Sequence, residues 1–207
     1  MKHVSILFLL AALAACTASI NESVYVKDGK TQKGDINTIN GSIFIGNGST
    51  VKGDCRAVNG VIEVGDNSTV DGLTTVNGTI NVGKNSIVRD DVTTVNGAIT
   101  IGNGSKVAGE VSTINGNIDL TGSVVDENVE TINGDIDLSK GTVVGGNIVI
   151  RETDSNQGKR RIDIYLRDSS LVKGDIIVKD KYVTVKVHLL DESKIEGDVI
   201  DAEVVYE

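Results

Sequence analysis

The sequence predicts an all-β fold, a single-stranded parallel β-helix (β-solenoid) of triangular cross-section with about nine coils of 18–19 residues. Three observations predict it. An Asn-Gly pair recurs at Asn40, Asn59, Asn77, Asn96, Asn115 and Asn133, at spacings of 19, 18, 19, 19 and 18. Ile or Val precedes each of these Asn residues, and an aliphatic residue stands three and five places after it. The 207 residues include 24 Gly but no Pro or Trp, and only 3% are aromatic, so the apolar content is aliphatic, set among Thr, Ser, Asn and Gly. A fixed period of this length marks a stack of units, each burying one face on the next. Val, Ile and Thr favour pleated strands, whereas Gly and Asn favour the turns between them.

In chain order, residues 1–15 come first. Lys2 and His3 are followed by the apolar run Val4 to Leu13 and then by small residues. That run is too short to span a bilayer and has the order of regions of a secretory signal. Its end, Leu13-Ala14-Ala15-Cys16, resembles the lipobox of bacterial lipoproteins. The resemblance implies cleavage before Cys16 and a lipid (diacylglyceryl and palmitate) on its thiol. Thr17 follows, with no Asp to signal inner-membrane retention, so the expected location is the cell envelope, at the outer membrane. Residues 16–22 read as a lipidated tether, and residues 23–207 as the solenoid domain.

With the repeated Asn as position zero, the inward positions are expected at −1, +3, +5, +9, +11 and +15. For one coil these are Val95, Ile99, Ile101, Ser105, Val107 and Val111. They form three short faces per coil, hence the triangle, and residues between them should point outward and be polar. The +4 position agrees, with Glu63, Asn81, Thr100, Asp119 and Asp137. Glycines at +6 and +13, such as Gly65 and Gly72, are expected to turn corners through positive φ. Six zero-position Asn side chains should form a ladder, each amide bonding the next at the ~4.8 Å strand spacing. Asn-Gly is also a hairpin signal, but an antiparallel meander does not predict one register held over 19 residues.

Two insertions, near 150–161 and 178–182, fall in the same interval of the repeat and should protrude from one side. They carry Arg151, Lys159, Arg160, Arg161, Lys179 and Lys181, with Tyr165 and Tyr182 nearby. In an acidic chain this is a candidate interaction patch for an acidic polysaccharide or an envelope protein, since Arg and Tyr are enriched at contacts. Solubilising charge on exposed loops is the plainer reading.

Val172-Lys-Gly-Asp-Ile176, Ile195-Glu-Gly-Asp-Val199, Val144-Gly-Gly-Asn-Ile148 and Val107-Ala-Gly-Glu-Val111 resemble the repeat of bactofilins, polymer-forming bacterial cytoskeletal proteins. The resemblance implies a right-handed triangular β-helix over residues 24–200. Bactofilins lack an export signal, and this chain departs from them there; it looks closer to secreted or lipid-anchored proteins with Thr-Val-Asn-Gly repeats, for which no activity is implied.

The chain after residue 15 holds 19 basic against 29 acidic residues, so a nucleic acid would be repelled. His188 falls on the outward +4 position and should be a solvated surface residue, while Cys55 at +15 should be a buried apolar substitute. No zinc spacing, disulfide framework, phosphate loop or calcium loop is recognisable, and no cofactor is expected. Asp119 and Asp137 share one outward column, the best case for acid–base chemistry on a glycoside, but no aromatic platform is expected beside them. The expected function is therefore a non-enzymatic, lipid-anchored scaffold or adhesin-like envelope protein. The alternative is a polysaccharide-binding or polysaccharide-modifying β-helix. Acidic residues around Val204, Val205 and Tyr206 favour a monomeric rod over an end-to-end polymer.

Overall fold

The computed structural model describes residues 18–153 and 160–206. It is an all-β solenoid, with no helix among the described residues. Three parallel sheets run the length of the molecule. Sheet A has ten strands, from Ala18–Ser19 to Val199–Ile200; sheet B has ten, from Val24–Val26 to Glu203–Tyr206; sheet C has nine, from Thr31–Lys33 to Lys194–Ile195. Every strand pairs with its equivalent one coil away, so Leu73 lies beside Val92, Ile80 beside Ile99, and Val88 beside Val107. Ten strands at ~4.8 Å give a rod about 43 Å long.

The core is one continuous column of Val, Ile and Leu from Val26 to Val187. Small polar residues complete it because their hydrogen bonds run between coils. Ser49, Ser68, Ser86 and Ser105 are buried in one corner. The amide of Ser68 donates to the Ser86 hydroxyl (3.1 Å), and that hydroxyl donates to the Gly65 carbonyl (2.9 Å). A buried polar group costs little once both its donor and its acceptor are used.

One of the six expected inward positions is displaced. Residues at −2, namely Thr38, Ala57, Thr75, Thr94, Thr113 and Thr131, are buried, while Ile39, Val58, Val76, Val95, Ile114 and Ile132 at −1 are half-buried on the other side of the strand. Strand alternation decides this. From inward Val92, the next inward residue is Thr94, and Val95 must face out. Thr94 tolerates the interior because its methyl packs there and its hydroxyl donates to the Gly78 carbonyl at 3.0 Å. Thr75 and Thr113 do the same to Gly60 and Gly97.

The corner glycines also act differently from expectation. Positive φ falls at +8, on Gly48, Asn67, Asn85 and Gly104, not at +6, and at +13 it is found on Gly34 and Gly53 but not on Gly72. Gly after the repeated Asn is required by crowding: a Cβ on Gly78 would collide with the carbonyl oxygen of Gly60 one coil away.

The solenoid begins earlier than the expected tether boundary. Ala18–Ser19 already pairs with Asn37–Thr38 in sheet A. Glu203–Tyr206 forms a last strand of sheet B beside Lys186–Leu189. The insertions widen sheet B instead of simply protruding. Arg160–Leu166 and Val183–Leu189 pair over seven residues, adding Ile162 and Val185 to the core. Residues 154–159 of the first insertion, Lys159 among them, lie outside the described residues, as do the leader and Cys16.

Candidate functional site

The widened part of sheet B gathers most of the reactive side chains. Strand pairing places Asp119, Asp137, Tyr165 and His188 in one outward column, one residue per coil. Outward positions of a parallel stack are neighbours at ~4.8 Å, so flat side chains there lie on one another. The Tyr165 and His188 rings stack at 4.5 Å with planes 14° apart. The Arg167 guanidinium lies over the Tyr165 ring, 5.4 Å from its centre, and reaches back to Asp137, to which its Nε donates at 2.9 Å. Tyr165 is thus covered by His188 of the next coil and by Arg167 of its own.

His188 corrects the expectation of a solvated histidine. It is 9% exposed, and its Nε2 sits 3.0 Å from Asp163 Oδ1. Asp163 also accepts from Arg161 at 2.7 Å. Burial pushes the Asp163 carboxyl up, but the hydrogen bonds from Arg161 and His188 outweigh it and hold the carboxyl below the usual range. Asp119 is pushed the other way, first by burial and then by the Asp137 charge, with Arg167 opposing. The expectation that no aromatic stands near Asp137 is likewise corrected, since Tyr165 is its paired neighbour. Tyr165 still offers no open ring face on which a sugar could stack.

The basic patch is not a free cationic surface. Arg151 pairs with Glu130, Arg160 with Asp180 and Arg161 with Asp163. The Arg160–Asp180 pair is the most enclosed, with side-chain exposures of 14% and 0%. Asp180 also accepts from the Tyr182 amide at 2.8 Å, so one carboxylate joins the two insertions, and Arg160 in turn donates to the Ile132 carbonyl of the shaft at 3.1 Å. Lys179 and Lys181 remain exposed, and the Lys181 ammonium lies 5.0 Å from the centre of the Tyr182 ring. The Arg151–Glu130 and Arg160–Asp180 partners come from different coils, and their pairing shows only once the coils are stacked, whereas Arg161 and Asp163 are neighbours on one strand face.

The Asn ladder is present as expected and is one rung longer. Asn40 donates to Asn21 (2.9 Å), then Asn59, Asn77, Asn96, Asn115 and Asn133 each donate to the preceding Asn at 2.8–2.9 Å. Beside it runs an aliphatic stripe of Ile39, Val58, Val76, Val95, Ile114 and Ile132, which sequence reasoning placed inside, extended by Ile20 (61% exposed) of the expected tether. Seven rungs make the stripe about 29 Å long. Across much of its length the flanking outward residues are uncharged, with Thr74, Thr93 and Ser112 on one side and the Asn ladder on the other. The signal was available. Val or Ile at −1 always follows a −2 residue whose small side chain could be inward.

Cys55 is fully buried, as expected, and burial followed by the nearby Asp54 and Asp35 charges pushes its thiol up to about 12. Among the described residues no group of His, Cys, Asp and Glu could hold a metal ion, and no helix is long and apolar enough to cross a membrane. The fold and surface together define a three-sided parallel β-solenoid whose coils are tied by polar ladders. The chain matches no family model, no curated protein and no solved structure.

Proposed function

We propose that this protein is a lipid-anchored rod of the bacterial cell envelope with a structural or interaction role and no catalytic one. The observation that carries the reading is where the repeat's polar groups are spent. The Asn amides, the Ser hydroxyls and the −2 Thr hydroxyls bond to the neighbouring coil, so the repeated polar residues of each coil build a stiff shaft. The resemblance of the Val172 to Ile176 segment to bactofilin repeats supports a structural role. The Leu13-Ala14-Ala15-Cys16 sequence supports the anchor at the outer membrane.

A second reading, a polysaccharide-binding or polysaccharide-modifying solenoid, draws on Tyr165 and His188 beside the Asp119/Asp137 column. The ion pairs that occupy Arg161, Arg167 and Asp163 weigh against it, because each would have to open to meet a ligand. Fractionation of cells expressing the parent and Cys16→Ala tests the anchor. The parent should sediment with outer membranes and the variant should be released; co-sedimentation of both overturns the reading. Retention of the parent on insoluble envelope polysaccharide, lost on Tyr165→Ala, would favour the second reading.

A further inference from the structure

The sequence holds eight Asn-Gly pairs: Asn47 and Asn103 at corners, and the six ladder residues Asn40, Asn59, Asn77, Asn96, Asn115 and Asn133. Asn-Gly is where the side-chain amide most readily cyclises, because Gly has no Cβ to hinder the approach of its nitrogen. In that reaction the Gly nitrogen loses its proton and attacks the Asn Cγ. A C–N bond forms and ammonia leaves, giving a succinimide. Water then opens the ring to aspartate or isoaspartate, so the net change is one water in and one ammonia out. Two groups must be free for this: the Gly N–H, and the Asn amide, which must rotate toward it.

In the middle of the ladder both groups are occupied. Asn77, Asn96 and Asn115 each donate to one neighbour and accept from the other. The N–H groups of Gly78, Gly97 and Gly116 donate to the carbonyls of Asn96, Asn115 and Asn133 at 3.1, 3.0 and 2.8 Å. At Asn40 and Asn59 the amide is again held on both sides. At the corners, Gly48 and Gly104 donate to Asp66 and Gly122, each at 2.8 Å.

Asn133 differs. Register continues from Ile136 to Ile164, so the residue stacked above the ladder is Arg161, and the ladder stops. Asn133 donates to Asn115, but among the described residues no donor reaches its Oδ1 and no acceptor meets the Gly134 N–H. Of the eight pairs, this one alone has both its amide oxygen and its glycine nitrogen unengaged among the described residues.

We propose that Asn133-Gly134 is a site of spontaneous deamidation in the folded protein, and that the ladder protects the Asn-Gly pairs within it. Conversion also has a structural consequence. A carboxylate at position 133 has no N–H to give, and faces the Asn115 amide oxygen that its amide now bonds. The ladder therefore loosens from this end first, at the coil where the widened part of sheet B begins.

The test is peptide mapping by mass spectrometry of the full-length protein, held folded or in urea at mildly alkaline pH in ¹⁸O-water. Breaking one such hydrogen bond slows a step by roughly tenfold. In urea all six ladder positions should react at similar rates. In the folded protein Asn77, Asn96 and Asn115 should fall at least about tenfold behind Asn133. Asn133→Gln should remove most of the folded-state ammonia release while leaving the urea rates of the other positions unchanged. The inference is overturned if folded Asn133 reacts no faster than Asn96, if it does not react on the timescale of the unfolded chain, or if Asn133→Gln leaves ammonia release at the parental level.

Discussion

Val107→Asp, read against Val95→Asp, tests the inward register directly, because hydropathy alone places both valines inside. Val107 is fully buried between Val88 and Val125 of the neighbouring coils, whereas Val95 is half-buried on the outer side of its strand. Removing a buried valine from the core forfeits about 2 kcal/mol. An Asp in its place has no partner, so burial raises its pKa by about 3 units or more. At 1.36 kcal/mol per unit this adds about 4 kcal/mol at pH 7. The sum, roughly 6 kcal/mol, rivals the whole stability of an ordinary domain. In a solenoid the damage concentrates on the coil and its two interfaces. Val95→Asp should cost less than about 1 kcal/mol, as outward substitutions do. The pH dependence has a definite sign. The folded-state pKa of the buried Asp lies above its unfolded value, so the penalty is full at neutral pH and shrinks as pH falls toward about 4. Urea unfolding followed by circular dichroism at pH 7 and pH 4.5 measures both effects. Equal midpoint shifts for the two variants, or a Val107→Asp shift that does not recover in acid, would refute the register.

Asp180→Asn should cost about 3–5 kcal/mol by leaving the enclosed Arg160 guanidinium uncompensated, and a double mutant with Arg160→Met should regain part of it. A urea-midpoint change no larger than that of a surface substitution would show that this pair does not hold the insertions. Cys55 should fail to react with a disulfide reagent at pH 8 until the protein unfolds. Because its folded pKa is pushed from 9.0 to about 12, its contribution to stability is intact below pH 9 and is lost as pH rises toward 12; rapid labelling of the native protein contradicts this. Light scattering should find a monomeric rod at low and physiological salt, because Glu196, Asp198, Asp201 and Glu203 are exposed on the last coil, beside its open strand edges. Filaments under those conditions would restore end-to-end assembly.

Much of the architecture was legible because stacking in register forces identical demands on every coil. An aliphatic pair at +3 and +5, a small residue at +9 and an Asn at zero recur because each meets its own copy one coil away. Cys55 could be placed inside on that logic alone. The Thr at −2 escaped because hydropathy ranks Val above Thr, whereas the interior ranks a side chain by whether its hydroxyl finds a carbonyl. Thr94 finds that of Gly78, and Val95 is left outside. The glycines were placed at the right corners for an incomplete reason. Close approach of the next coil, not positive φ, excludes a side chain at Gly65 and Gly83.

The surface was harder to read because outward does not mean exposed in a parallel stack. His188 points away from the core yet is nearly buried, since Tyr165 lies flat against it and Asp163 caps its edge. Long-range ion pairs such as Arg167 with Asp137 join consecutive coils across an insertion, so no fixed sequence interval announces them. Regular coils carry a selection for stacking that consumes their polar groups, and residues that depart from the repeat are the ones free to serve another purpose. Beyond Cys16 the aromatic residues are confined to the two ends of the rod: Tyr25 and Phe44 at one, and Tyr165, Tyr182 and Tyr206 at the other. Arg161 ends the Asn ladder at the coil where sheet B widens, and the most enclosed ion pair, Arg160 with Asp180, stands beside it. A long uniform shaft sets the distance between those two ends, and the departures from the repeat give each end a different surface.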